Sequence, residues 1–192
     1  MKILAMVAMA VVLETGARAD QVTVYIQGLS VVPTDVFSRA QVLANQMFAG
    51  AGVRIDWHRG GPGRSHSEQG QAIVIEMATD TPRAQMPDAL AYALPYEGVH
   101  ITVFYDRVRL AGDVQSTPNV LAHVLVHEIT HILQGTCRHS ATGVMKARYT
   151  QQDYREMKQR PLPFAEEDVQ LIQFGLAQRS TGGDTLIAAV RH

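Results

Sequence analysis

The residues with the clearest capacity for chemistry are two histidines and a glutamate in the segment 127–131, which reads HEITH. His127 and His131 are four residues apart, so on a helix their side chains share one face, about 6 Å apart along the axis. Two imidazoles in that arrangement can bind one metal ion. Glu128 lies about 100° around the helix from His127, where its carboxylate can act as a general base on water at the metal.

A third ligand is needed before this pair becomes a zinc site that can do chemistry. A catalytic zinc ion keeps three protein ligands and an open fourth position that water fills. His139 is the predicted third ligand, because Gly135 ends the helix and the next residues can turn the chain back beneath the metal. Cys137 is the alternative, although a thiolate would donate more charge and make bound water less acidic. The prediction is one Zn²⁺ ion bound by His127, His131 and His139.

The surrounding pattern predicts a buried helix that carries these residues. Thr117 and Pro118 are typical of an N-cap and a first turn, and Gly135 suits a left-handed C-cap. Apolar residues recur at helical spacing between them, which predicts a helix of about 17 residues. Such an apolar helix must be buried, and a buried imidazole or carboxylate is unfavourable without a partner. His123, one turn before His127, is expected to pack rather than bind the ion.

The segment from His127 to Met145 resembles the metzincin clan of zinc endopeptidases, whose long motif is HExxHxxGxxH followed by a tight turn with a methionine. Gly143-Val144-Met145 fits this Met-turn, and ordinary core packing of the methionine is the alternative. The chain reads HExxHxxxGxxxH, with one extra residue on each side of the glycine. The run HEITHILQGTCRHSATGVMKA is also similar to small secreted bacterial zincin-like proteins. The resemblance implies a zinc-dependent peptidase with Glu128 as its catalytic residue.

Strand and helix patterns alternate before the motif. Strands are predicted at 21–27, 53–58, 72–78 and 99–105, with a helix at 34–50. The order predicts an α+β, zincin-like fold: a twisted mixed sheet of four to five strands with a helix packed on it, the active-site helix, then a small C-terminal half with one helix. Residues 89–96 are the candidate edge strand, because the prolines at 87 and 95 suit an edge. The resemblance to zincins implies that this edge binds an extended peptide as an added strand.

The C-terminal part of the chain gives fewer signals. Residues after Met145 are polar, a helix is predicted at 165–179, and 182–192 has the composition of a tail. Cys137 is the single cysteine, so no intramolecular disulfide can form, and burial is the expected protection of its thiol. Tyr149 is a candidate for stabilising the oxyanion of the reaction.

Residues 1–19 have the pattern of a secretory signal peptide: a lysine, an apolar stretch, and Ala17-Arg18-Ala19 at the cleavage point. The apolar stretch is shorter than the roughly 17 to 25 residues of a membrane span, so no span is expected in the mature chain. The mature protein is therefore expected to be secreted or periplasmic, and 20–192 to form a single zincin-like catalytic domain.

That domain is expected to have two parts, an upper half at 20–135 with the sheet and helices, and a lower half at 136–192. The full chain has 17 basic and 18 acidic residues, and loss of 1–19 changes the net charge from −1 to −2. Because no basic cluster is present, neither nucleic acid nor a membrane surface is an expected partner. A peptide or protein substrate is the expected partner. The sequence does not indicate an oligomeric state.

Two other functional classes stay open. A secreted zinc-binding protein without peptidase activity would keep the histidines, but nothing would then require Glu128. A non-catalytic interaction domain could contain HExxH by accident, and it would lack stoichiometric zinc.

Overall fold

The structure, a computed structural model, describes residues 20–62, 72–79, 89–96 and 99–190 of the 192-residue chain, with the backbone alone for 181–190. The signal peptide expected at 1–19 lies outside these residues. None of the described helices is long and apolar enough to cross a membrane.

Within the described residues a mixed sheet of five strands forms the upper part of the molecule. The strands are β1 (Asp20–Gln27), β2 (Val53–Arg59), β3 (Ile73–Ala78), β4 (Ala91–Ala93) and β5 (His100–Phe104). Their order across the sheet is β2-β1-β3-β5-β4. Neighbours pair in parallel except β4, which runs antiparallel to β5. The strand count and mixed character predicted from the sequence are confirmed.

The edge strand predicted at 89–96 is confirmed at its centre. β4 is only three residues long and lies at the outer end of the sheet, beside β5. The predicted strand at 99–105 ends one residue early, because Tyr105 begins a helix directly after β5.

Helices cover the sheet and extend below it. The described residues form α1 (Thr34–Gly50), α2 (Tyr105–Ala111), α3 (Thr117–Gln134), α4 (Gln151–Met157) and α5 (Glu166–Val190). A short 3-10 turn at Leu29–Val31 follows β1. The chain returns from β1 to the parallel strand β2 through α1, which matches the helical crossover that parallel strands require.

The core lies between the sheet and the helices α1 and α3, which pack against each other. One face of α1 is buried, and its small residues Ala40 and Ala44 allow close approach of the neighbouring helix. In α3 every residue except Asn119 and Gln134 is buried. His127 and His131 therefore lie on the most enclosed helix of the described chain.

The ends of α3 agree closely with the sequence pattern. Gly135 has φ 64° and is the left-handed C-cap that was predicted. The N-cap is Ser116 rather than Thr117, because the Thr117 side chain donates to the carbonyl oxygen of Asp113 and the residue is already helical.

Two helical features go beyond the sequence prediction. The polar stretch after the Met-turn contains α4, whose start is fixed by a capping box between Thr150 and Asp153. The last helix was expected at 165–179 with a tail behind it, but α5 continues to Val190 as one helix. The predicted end at 179 was wrong, because serine and glycine lower helix propensity without forbidding a helix.

Candidate metal centre

α3 brings His127 and His131 together with both rings fixed by the backbone. The Nδ1 of His127 donates to the carbonyl oxygen of Val144 at 2.8 Å, and the Nδ1 of His131 donates to that of Thr136 at 2.9 Å. A carbonyl oxygen only accepts, so each Nδ1 must carry the ring proton. Each Nε2 therefore presents a lone pair, and the two Nε2 atoms face each other at 3.0 Å.

His139 completes a cluster of three imidazoles. After the left-handed Gly135, the amide of Thr136 bonds back to the carbonyl of His131 at 3.3 Å, and the chain turns below α3. The ring of His139 then lies 5.2 Å from that of His127 and 4.9 Å from that of His131, between centroids. One ligand nitrogen from each of the three residues lies within 4.8 Å of the other two.

The donor set fits a zinc ion. Two lone pairs facing each other at 3.0 Å repel unless a cation lies between them, and tetrahedral zinc at about 2.0–2.1 Å from each nitrogen holds its ligands at a comparable spacing. Burial is the main cause that lowers the pKa of His127 to about 3 and the pKa of His131 to about 4, and the neighbouring imidazoles contribute to both shifts. Burial also lowers the pKa of His139. All three rings are therefore neutral at pH 7, the form that binds metal.

Glu128 lies beside this cluster and is almost completely buried. Burial raises the pKa of its carboxyl group to about 8, and a hydrogen bond donated by the backbone N–H of Ala93 opposes that rise. Ala93 belongs to β4, so the glutamate of the HExxH segment contacts the edge strand directly. The sequence could not reveal this contact, because it joins a side chain to a backbone group far away in the chain.

The predicted Met-turn supports the cluster through a backbone carbonyl. The carbonyl oxygen of Val144 accepts both the Nδ1 of His127 and, at 2.6 Å, the hydroxyl of Tyr149. Met145 is fully buried beneath it. Gly143 has φ 75°, and a Cβ at this position would lie 2.2 Å from the carbonyl oxygen of Pro163. Only glycine fits this turn, which explains the Gly-Val-Met sequence.

An open cleft of about 490 Å³ passes over the three histidines. β4 and its flanking residues form one wall, and the segment after the Met-turn forms the other. The lining residues outside the cluster include Leu90, Tyr92, Val124, Lys146, Tyr149 and Tyr154.

Cys137 and Tyr149 both line this cleft. Cys137 was expected to be buried, but it is exposed and lines the cleft, because the loop after Gly135 carries it to the surface. It is not part of the cluster of ligand atoms that could hold a metal. Tyr149 was the candidate for stabilising the oxyanion of the reaction. Its hydroxyl donates to the carbonyl oxygen of Val144, so in this structure its proton is already used in a hydrogen bond.

The mixed five-stranded sheet and its packed helices form a fold that is shared with a solved structure. The structure is similar to the crystal structure of archaemetzincin from Methanopyrus kandleri, with a TM-score of 0.54, 15% sequence identity, and coverage of 86% of this chain and 99% of that chain. No protein-family model and no curated protein matches the sequence. At this identity the similarity establishes the fold, while the chemistry must be argued from the side chains.

Proposed function

We propose that this protein is a zinc-dependent peptidase in which His127, His131 and His139 bind one Zn²⁺ ion and Glu128 is the catalytic residue. The observation that carries the proposal is the position of a buried glutamate beside three neutral imidazoles in an open cleft. Three protein ligands leave the fourth zinc position open, which is the composition of a catalytic rather than a structural site.

The chain's own groups suit amide hydrolysis. Zinc, when bound, acidifies a water molecule and polarises the carbonyl group of a substrate. Glu128 accepts a proton from the attacking water and transfers it to the leaving amine. Burial raises its pKa to about 8, and the positive charge of a zinc ion beside it would lower that pKa again, which favours the carboxylate form that a general base needs. The carbonyls of Val144 and Thr136 keep the two helical histidines in the tautomer that presents Nε2.

The edge of the sheet provides a binding surface for an extended peptide. Leu94 donates to the carbonyl of His100, and Phe104 donates to that of Leu90, each at 2.9 Å. In an antiparallel pair, the backbone N–H and C=O groups of successive residues point alternately toward and away from the partner strand. The backbone groups of Ala91 and Ala93, the two ends of β4, therefore point away from β5. We propose that a peptide substrate pairs as an additional strand with the N–H and C=O of Ala91 and the C=O of Ala93, since the N–H of Ala93 is already bonded to Glu128; this would lay the substrate backbone along the cleft.

The decisive experiment replaces Glu128 by glutamine. Glu128→Gln keeps the size of the side chain and removes the base, so zinc content should match that of wild type while cleavage of a mixed peptide library falls by roughly 10² to 10⁴-fold. Cut sites and rates are measured by mass spectrometry. As a control, His131→Ala should lose both zinc and cleavage.

Three results would contradict the proposal in different ways. Equal cleavage by wild type and Glu128→Gln would remove the assigned base. Stoichiometric zinc without cleavage by either protein would favour a secreted zinc-binding protein. Absence of stoichiometric zinc in wild type would favour an interaction domain with an accidental HExxH.

Export is proposed from the sequence of residues 1–19. Expression of the full chain in a bacterial host, followed by N-terminal sequencing of the protein outside the cytoplasm, should give a mature start near Asp20. Retention of the uncleaved chain in the cytoplasm would contradict this.

A further inference from the structure

A buried carboxylate outside the histidine cluster holds both chain neighbours of His139. Asp168 lies in the first turn of α5, and its side chain is 1% exposed. One carboxylate oxygen, Oδ1, accepts the hydroxyl of Ser140 at 2.5 Å and Nη1 of Arg138 at 3.2 Å. The residues immediately before and after His139 are thus bonded to the same atom.

Asp168 is itself fixed by the elements around it. Its second oxygen, Oδ2, accepts the backbone N–H of Ala165 at 3.1 Å, which satisfies a donor at the start of α5. Its own carbonyl oxygen accepts Nε2 of Gln134, the last residue of α3, at 3.2 Å. The carboxylate is therefore positioned relative to the helix that carries His127 and His131.

The loop that carries His139 needs such an anchor. Residues 136–139 lie outside helices and strands, and the ring of His139 is exposed. Fixing the backbone of one residue costs about 1–2 kcal/mol of conformational entropy, so an extra loop residue makes the ligand harder to hold in place. Besides Asp168, the loop is held by a hydrogen bond from the Ser140 amide to the Met145 carbonyl at 2.8 Å.

The geometry points to Asp168 as a positioning residue that holds His139 at the metal through Arg138 and Ser140. The inference rests on the proposed function only in requiring that His139 binds zinc.

The test compares zinc affinity in Asp168→Asn and in a matched control. Asparagine keeps the shape of the side chain but loses the negative charge that pairs with Arg138, and its single acceptor oxygen cannot serve both the loop and the N–H of Ala165, so the zinc dissociation constant should rise about 10 to 100-fold. Glu167→Gln removes a neighbouring carboxylate that also pairs with Arg138 but is largely exposed. Its zinc affinity should change by less than about fivefold. Affinities are measured by competition with a chromophoric chelator.

A double-mutant cycle separates positioning from a general loss of structure. If Asp168 acts through His139, Asp168→Asn should add little to the loss of zinc affinity caused by His139→Ala. The absorption spectrum of Co²⁺ bound to Asp168→Asn should shift toward that of His139→Ala, because a ligand is lost or displaced. An equal loss in both backgrounds, or a Co²⁺ spectrum identical to that of wild type, would overturn the inference.

Ser140→Ala provides a second, milder variant that removes one contact to Asp168 and leaves the carboxylate paired with Arg138. It should weaken zinc binding several-fold, and it decides the question if Asp168→Asn does not fold. Unchanged zinc affinity in Ser140→Ala would then overturn the inference. If wild type binds no zinc, the proposed function fails. If His139→Ala weakens zinc binding while the Asp168 and Ser140 variants do not, the positioning role alone fails.

Discussion

Each buried histidine of α3 has its tautomer set by the carbonyl oxygen that its Nδ1 contacts. His123 shows this away from the metal cluster. Its Nδ1 donates to the carbonyl of Asn119 at 2.6 Å, and its Nε2 accepts the amide of Leu162 at 2.9 Å. Both ring nitrogens are thus used by a neutral ring, and the packing role predicted for His123 is confirmed. Protonation of Nε2 would place a second donor against the N–H of Leu162, which disfavours the charged ring.

His123 should make the stability of the fold depend on pH. Burial lowers the pKa of His123 to about 4 in the folded protein, below its ordinary value of 6.5. The unfolded chain therefore binds more protons between pH 4 and 6.5, and stability is lost as pH falls through that range. A difference of about 2.5 pH units corresponds to about 3 kcal/mol near pH 4.

The measurement is the free energy of unfolding in urea from pH 4 to 8 for wild type and His123→Gln. The histidines that both proteins share cancel in the comparison. Relative to the variant, wild type should be constant above pH 6.5 and lose stability below it. A difference that does not change with pH would show that His123 is not responsible.

Glu128 and Asp168 illustrate two uses of a buried carboxylate. Glu128 has an accessible cleft on one side and a raised pKa, which suits proton transfer. Asp168 accepts three hydrogen bonds through its carboxylate and is not among the residues that line the cleft, which suits a fixed anchor. Their contacts distinguish the group proposed to exchange protons from the one proposed to hold a loop, although both are acidic residues in the sequence.

At the level of elements, the contact between α3 and α5 brings the lower part of the molecule against the helix that carries His127 and His131. A Cβ at Gly175 of α5 would lie 1.8 Å from the carbonyl oxygen of Leu133, near the end of α3. This is backbone, which cannot rotate away as a side chain could. A glycine inside α5 therefore permits an approach that any other residue would prevent.

Gly175→Ala should destabilise the protein even though alanine favours a helix. The backbone of α5 or α3 must move, which costs about 1–3 kcal/mol or more. Gly50→Ala is the matched control, because Gly50 is also helical and no atom lies within 4 Å of its added Cβ. That control should leave stability unchanged or raise it by up to about 1 kcal/mol. Both values come from urea unfolding, and equal stability of the two variants would disprove the close contact.

At the level of the whole molecule, the metal cluster joins two parts of the chain. His127 and His131 belong to α3, which packs on α1 and the sheet, whereas His139 belongs to the loop held by α5. An ion bound by all three residues links the upper part to the lower part. Zinc should therefore contribute to stability as well as to chemistry.

Removing zinc should lower the melting temperature. A ligand that binds only the folded state contributes about 4 kcal/mol when its free concentration is 1,000 times the dissociation constant. For a chain of this size that corresponds to roughly 10 °C, measured by calorimetry with and without EDTA. Adding zinc back should restore the transition, whereas magnesium should not. His139→Ala should respond much less, and a wild type indifferent to EDTA would contradict the link.

The sequence determined the features that depend on neighbours in the chain. The i, i+4 spacing of His127 and His131, the apolar periodicity of α3 and the glycine at its end are local, and each predicted its element correctly. The alternation of strands and helices likewise gave the mixed sheet and its edge. The metzincin resemblance agrees with the fold, although His139 lies one residue farther from the glycine than in the family motif.

Only the tertiary structure decided which distant groups meet at the site. The carbonyls of Thr136 and Val144 fix two imidazoles, the amide of Ala93 reaches Glu128, and Asp168 holds the loop of the third histidine. The exposure of the single cysteine and the full length of the last helix were decided in the same way. Backbone donors and acceptors are present at nearly every residue, so sequence cannot tell which of them packing will bring together.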